Sequence, residues 1–130
     1  MDHRLPELRD ALLKLHKALV DSERVTYEKT IGVIQSPSHF LQLLTTDPWF
    51  AWLQPLSQLI VVMDEAMGTK EPLASTTTDA LVKQTRALLV ASEVGEGFSK
   101  HYDDALQRDP DVVLAQADVA RLLGDRKPPV

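Results

Sequence analysis

The chain contains no cysteine and few aromatic residues, and both absences restrict the class of protein. Without cysteine there is no disulfide, no thiolate metal ligand and no cysteine nucleophile, which fits a reducing compartment. Aromatic residues make up 5% of the 130 positions and glycine occurs 5 times, which is low for an all-β sandwich with many turns. The 44% hydrophobic and 25% charged content is instead typical of one soluble globular domain.

Long apolar runs and an excess of positive charge are also missing. The longest apolar run covers residues 59–63, far below a membrane span, and Met1-Asp2-His3-Arg4 lacks the apolar core of a secretory signal. The net charge of −5, with basic residues scattered along the chain, disfavours nucleic acid and anionic membranes as partners. We therefore expect a cytoplasmic protein with no nucleic-acid or membrane partner.

The amino-terminal segment has the clearest helical pattern. Five leucines recur at alternating spacings of three and four, the spacing of an amphipathic helix: Leu5, Leu8, Leu12, Leu15 and Leu19. Ser22 and Thr26 continue this stripe in polar form, and oppositely charged pairs four residues apart lie on the other face. The pattern predicts one long helix that reaches about Ile31 and ends near Gly32.

Three later helices are predicted to begin at the same kind of start signal, which is a short oxygen-bearing side chain followed by proline. The three pairs are Ser36-Pro37, Asp47-Pro48 and Asp109-Pro110. The first side chain can accept from free amides of the first turn, and proline at the first helical position loses no hydrogen bond. The predicted helices cover 36–46, 48–67 and 110–123.

The 48–67 segment is the most apolar part of the chain, which places it at the centre of the fold. Pro55 lies inside it and predicts a kink there, or a break into two shorter helices. Val61 and Val62 fall outside its main apolar face. Its three aromatic residues (Trp49, Phe50 and Trp52) allow two interpretations: core packing, which is favoured, or an interface with a partner, where aromatics are enriched.

A third long helix is predicted over 77–107, with a bend at Gly95 and Gly97 because glycine weakens helices. Its predicted inward stripe is Leu81, Gln84, Leu88, Ala91, Gly95, Phe98, Tyr102 and Leu106. The predicted fold is therefore all-α, an antiparallel bundle of three long helices plus shorter ones. One domain covers 1–124, and 125–130 form a flexible, charged, proline-bearing tail.

No recognised catalytic or cofactor motif occurs in the sequence. There is no Gly-x-Gly-x-x-Gly, P-loop, Gly-x-Ser-x-Gly or His-Glu-x-x-His motif. None of the four histidines follows a glutamate by three positions, which argues against a carboxylate-bridged di-metal bundle. The sequence therefore favours a protein that is not an enzyme, and it predicts neither a metal nor a cofactor.

One group of polar residues flanks the stripe of the first helix. His16, Glu23 and Tyr27 are seven and four residues apart, so His16 and Glu23 lie about 10 Å from each other along the axis. Together with residues of other helices they can line a polar pocket for a small molecule or a metal. The favoured interpretation is that they are boundary residues of an amphipathic helix, with Glu23 partly solvated.

Two function classes lead from these observations. The first is a non-catalytic helical module that binds another protein or itself, favoured by the excess of apolar faces on the 48–67 helix. The alternative is a bundle that binds a small molecule or metal between helices near His16, Glu23 and Tyr27. An enzyme of a class without a sequence motif is a third and less favoured interpretation.

Overall fold

The computed structural model describes residues 4–69, 73–92, 94–95 and 97–124, and all regular structure within them is helical. The elements in chain order are α1 (Arg4–Thr30), α2 (Pro37–Thr46), a short 3-10 helix (Pro48–Leu53), α3 (Gln54–Met67), α4 (Ser75–Leu88), α5 (Phe98–Arg108) and α6 (Pro110–Leu122). The predicted all-α class is confirmed. The tail predicted over 125–130 lies outside the described residues.

Helix α1 follows its sequence pattern closely. The five leucines of the stripe are each at most 1% exposed, and Ser22, which continues the stripe, is buried as well. The helix ends at Thr30, and the chain leaves it through Gly32. With 27 residues, α1 is about 40 Å long and supplies one continuous apolar face to the core.

All three predicted start signals cap helices. Ser36 Oγ accepts from the backbone N–H of His39 at 3.1 Å, and Asp47 Oδ1 accepts from that of Trp49 at 2.8 Å. Asp109 Oδ1 accepts from the backbone N–H of Asp111 at 2.9 Å. In each case proline occupies the first turn, where its missing N–H costs no helical hydrogen bond.

The 48–67 segment breaks into two helices, as one of the two predicted outcomes for Pro55 requires. The chain forms a 3-10 helix as far as Leu53, and α3 then starts at Gln54. Pro55 therefore lies in the first turn of α3, where it is tolerated, and not in a helix interior. Both the 3-10 helix and α3 pack on α1, while only α3 also packs on α4.

The third long helix predicted over 77–107 is wrong. Helix α4 ends at Leu88, and α5 begins only at Phe98. Gly97 adopts φ +62° and ψ −129°, a conformation that favours glycine, and lies directly before the first residue of α5. Because the 77–107 segment is divided into α4 and α5, and the 48–67 segment is divided before α3, α1 is the only helix longer than 14 residues among those described.

Helix α1 packs most extensively against α6 and α3, so it forms the centre of the fold. The first turn of α6 shares a surface groove with Asp21, through Asp111. The last turn of α6 shares another groove with Glu7, through Arg121, so the two helices run in opposite directions. Within the described part of the chain, no helix combines the length and apolar character needed to cross a bilayer.

Candidate functional site

Glu23 lies in the protein interior and is the centre of a polar cluster. Only 4% of the residue is exposed, so the expectation that it is partly solvated is wrong. Its Oε1 accepts from Arg108 Nη2 at 2.9 Å, and its Oε2 accepts from Trp49 Nε1 at 2.9 Å. Arg108 Nε also donates to Ser22 Oγ at 2.9 Å. Both carboxylate oxygens therefore have partners within the chain.

Tyr27 adds an aromatic wall beside this cluster. Its ring meets the indole of Trp49 edge-on, with 5.6 Å between ring centroids, and lies 5.4 Å from the ring of Phe50. Glu23 is buried next to these rings, and an ion pair is stronger where water is excluded. The cluster thus connects α1, the 3-10 helix and the end of α5 at one place.

His16 lies apart from Glu23 and Tyr27 and faces a different neighbour. Its Nε2 is 2.7 Å from Ser57 Oγ on α3, and burial lowers the pKa of the imidazole below its ordinary value. The structure therefore does not bring the three predicted residues into one pocket. Among the described residues, no group of three or more histidine and carboxylate side chains is placed to hold a metal ion.

The three aromatic residues named as interface candidates pack mainly within the chain. Phe50 is fully buried, Trp52 is buried, and Trp49 is half-buried beside Glu23. The ring of Trp52 stacks on His101 at 5.3 Å between centroids and approaches Phe98 at 5.4 Å. The favoured interpretation of the sequence, that these residues form core, agrees with this packing.

The most distinctive open surface lies between α3 and α4. It is a groove of about 300 Å³ lined by Pro55, Gln58, Leu59, Val62, Gln84 and Leu88. None of these residues is charged, although a quarter of the sequence is. Val62 on its wall is 45% exposed, and neighbouring Val61 is 53% exposed. The α3–α4 groove is therefore a place where apolar surface meets solvent and no charged side chain forms the lining.

The other large grooves, along α1 and α6, have a different character. One of about 310 Å³ and one of about 210 Å³ are each lined by charged side chains of both signs, including Lys14 in both. Such surfaces are well solvated without a partner. The uncharged lining distinguishes the α3–α4 groove from these two grooves.

The charges of α3 are arranged against its helix dipole. The helix has no acidic residue in its first turn and no basic residue in its last turn, but Asp64 and Glu65 lie near its carboxyl end. Carboxylates are unfavourable there because the carboxyl end of a helix is partially negative. Asp64 is compensated by Arg9 Nη1 of α1, 3.2 Å from its Oδ1. Glu65 is exposed.

The sequence pattern did not predict the α3–α4 groove itself, but it indicated that two of the valines near it lie off the main apolar face of their helix. Val61 and Val62 were expected to fall off the main apolar face of their helix, and they do. Gln84 belongs to the inward stripe predicted for the 77–107 helix, but its side chain is exposed. The neighbouring Thr85 is fully buried instead. The pairing of α3 with α4 depends on tertiary packing, which no local pattern specifies. The chain matches no protein-family model, no curated protein and no solved structure.

Proposed function

We propose that this protein is a non-catalytic helical module that associates with a polypeptide, another protein or a second copy, through the α3–α4 groove. The single observation that carries the proposal is the uncharged lining of that groove next to the exposed Val61 and Val62. Exposed contiguous apolar surface marks interaction sites more often than isolated apolar residues do. We also propose that the helices pack as an antiparallel bundle and that the protein is cytoplasmic.

The shape of the groove favours a helical partner. Two helices supply its walls, and apolar residues recur along α3 at Pro55, Leu59 and Val62, with Leu88 opposite on α4. A helix that lays an apolar face into such a groove gains apolar burial along its length. Gln58 and Gln84 at the edge supply amide groups that can donate to and accept from a partner.

The alternative function, a small molecule or metal bound near His16, Glu23 and Tyr27, has less support. A ligand at Glu23 would have to displace Arg108 or Trp49 from the carboxylate, leaving a buried polar group without a partner. His16 lies on a different contact, with Ser57. Association through the α3–α4 groove leaves the hydrogen bonds of Glu23 and His16 in place. We therefore prefer association through the groove to ligand binding near these two residues.

Capture experiments with three immobilised proteins test the proposal. Wild type, Val62→Asp and Val113→Asp are incubated with extract of the native host, and the retained polypeptides are identified. Val113 is the matched control because it is an exposed valine of similar exposure, 42% against 45%, on α6. We expect a polypeptide that wild type and Val113→Asp retain and Val62→Asp does not. Identical retention by all three folded proteins would contradict the proposal.

A further inference from the structure

We infer that α2 is a cover that opens while the rest of the fold stays intact, and that its opening exposes Phe50 to solvent. The inference goes beyond the proposed function and does not depend on it, because α2 contributes no residue to the lining of the α3–α4 groove. Among the described helices, α2 is the only one without a buried residue. A segment with few buried apolar contacts opens at a lower free energy than the whole fold does.

The contacts that hold α2 against the core are weak. The helix packs mainly on the 3-10 helix, and the side chains that reach the core are only half-buried: Phe40, Leu43 and Leu44. The side-chain amide of Gln54 donates to the carbonyl oxygen of Leu44 at 3.3 Å, which is long for a hydrogen bond. Arg24 Cζ lies 5.0 Å from the ring centroid of Phe40, a cation–π contact that is weak at exposed positions. Because α2 contains no Asp, Glu, Lys or Arg, no ion pair of these residues strengthens its packing.

Movement of α2 can be confined to a short segment because the chain is anchored on both sides of it. On the amino-terminal side, Ile34 is buried, and its backbone N–H donates to Glu28 Oε2 of α1 at 3.0 Å. On the carboxyl-terminal side, Asp47 is the one residue between α2 and the 3-10 helix, and its carboxylate accepts from the backbone N–H of Trp49 at 2.8 Å. The segment that opens is therefore 35–46.

Phe50 is the buried residue that α2 covers. It is fully buried, and its ring lies 5.8 Å from that of Phe40 on α2 and 5.4 Å from that of Tyr27 on α1, measured between centroids. When α2 moves away, Phe50 loses the contact with Phe40 and keeps the contact with Tyr27. Opening therefore exposes an aromatic side chain next to the Glu23 cluster without separating α1 from the 3-10 helix.

Backbone amide exchange reports this opening because α2 cannot remain helical on its own. It has 10 residues, and an isolated helix of this length is unstable in water, since helix nucleation is unfavourable. Once α2 leaves the 3-10 helix, its backbone hydrogen bonds break and its amides exchange with solvent. The exchange rate of these amides therefore measures how often the cover is open.

Hydrogen–deuterium exchange of the full chain, followed by mass spectrometry in increasing urea below the unfolding transition, tests the inference. We expect the amides of residues 40–46 to exchange at least about tenfold faster than those of residues 114–122 in α6, which packs extensively on α1. The rate for α2 should change little with urea, because opening exposes little surface. The rate for α6 should rise with urea, because its amides exchange when most of the fold opens.

Two adjacent substitutions test which contact closes the cover. Phe40→Ala removes the ring that meets Phe50 and should speed exchange in α2 at least about threefold, with exchange in α6 unchanged. Leu41→Ala is the matched control, because Leu41 is 62% exposed and the change also introduces alanine into α2. Its exchange should stay within about twofold of wild type.

Thiol labelling tests whether opening exposes Phe50. The chain has no cysteine, so Phe50→Cys and Leu12→Cys each carry a single thiol, at positions that are both fully buried. Below the unfolding transition, the thiol at position 50 should react with a soluble disulfide reagent at least about tenfold faster than the thiol at position 12 on α1. If Phe50→Cys failed to fold, the exchange experiments would still decide the question.

Three results would overturn the inference. The first is exchange in α2 with the same rate and urea dependence as in α6, which would show that α2 opens only with the whole fold. The second is equal acceleration of exchange by Phe40→Ala and Leu41→Ala. The third is equal labelling at positions 50 and 12, which would show that α2 loses helix without exposing the residue beneath it.

Discussion

The carboxylate of Glu23 on α1 accepts a hydrogen bond of 2.9 Å from the guanidinium of Arg108, a residue 85 positions later at the end of α5. The Glu23 side chain is 6% exposed and that of Arg108 is 32% exposed. This ion pair holds the end of α5 against α1 immediately before Asp109 caps α6. It therefore fixes the position at which the last helix begins and turns back along α1.

Removing the charge of Glu23 should destabilise the fold. Glu23→Gln keeps the size of the side chain but leaves Arg108 without its counter-charge, so we expect a loss of about 2–4 kcal/mol in the free energy of unfolding. The measurement is a denaturant titration at neutral pH. Glu7→Gln, on an exposed position in the first turn of the same helix, is the control and should change stability by no more than about 1 kcal/mol, the scale of a charge interacting with the helix dipole. Equal losses in both variants would show that the Glu23–Arg108 ion pair adds no more to the free energy of unfolding than a surface charge does.

The two tryptophans should respond differently to loss of the indole N–H. Trp49 Nε1 donates to Glu23, whereas the buried Trp52 Nε1 has no hydrogen-bond partner among the described residues. Trp49→Phe should therefore couple to Glu23→Gln by about 0.5–1.5 kcal/mol in a double-mutant cycle. Trp52→Phe is the control, and its loss of stability should simply add to that of Glu23→Gln. Comparable coupling for both tryptophans would contradict the assigned hydrogen bond.

His16 should make stability depend on pH. Burial lowers its pKa in the folded protein below the ordinary value of 6.5, so below that pH the unfolded chain binds more protons than the folded one. The stability contributed by neutral His16 is thus fully present above about pH 6.5 and is lost as pH falls through the lowered pKa. We expect His16→Gln to lose less stability than wild type between about pH 7.5 and pH 5.5. Equal losses, measured by denaturant titration, would show that His16 is not responsible.

Local sequence patterns predicted much of the secondary structure, for reasons visible in single residues. The capping side chains of Ser36, Asp47 and Asp109 accept hydrogen bonds from backbone amides within three positions of themselves. Because these contacts are local, the sequence alone predicts them. The leucine stripe of α1 likewise requires only helical spacing. The helix predicted over 77–107 is wrong because α4 ends at Leu88, although the apolar pattern continues beyond it, and the positive φ of Gly97 separates α5 from the residues before it.

The candidate site was harder to predict because its contacts are long-range. Glu23 follows the buried stripe by one position and looks like a boundary residue until Arg108 and Trp49 are brought to it by folding. The α3–α4 groove depends on which helix α3 meets after the break before it. Sequence periodicity indicates that Val62 lies off the main apolar face, but it does not indicate what lies beside Val62.

Site-specific photocrosslinking at the groove is the most direct test of the proposed interaction. A photoactivatable phenylalanine derivative replaces Val62 in one protein and Val113 in another, both exposed valines, and the proteins are irradiated in the cells that express them. We expect a covalent adduct with a second copy or with another polypeptide from position 62, and little or none from position 113. No adduct from position 62, or the same adducts from both positions, would contradict the claim that the α3–α4 groove is the interaction site.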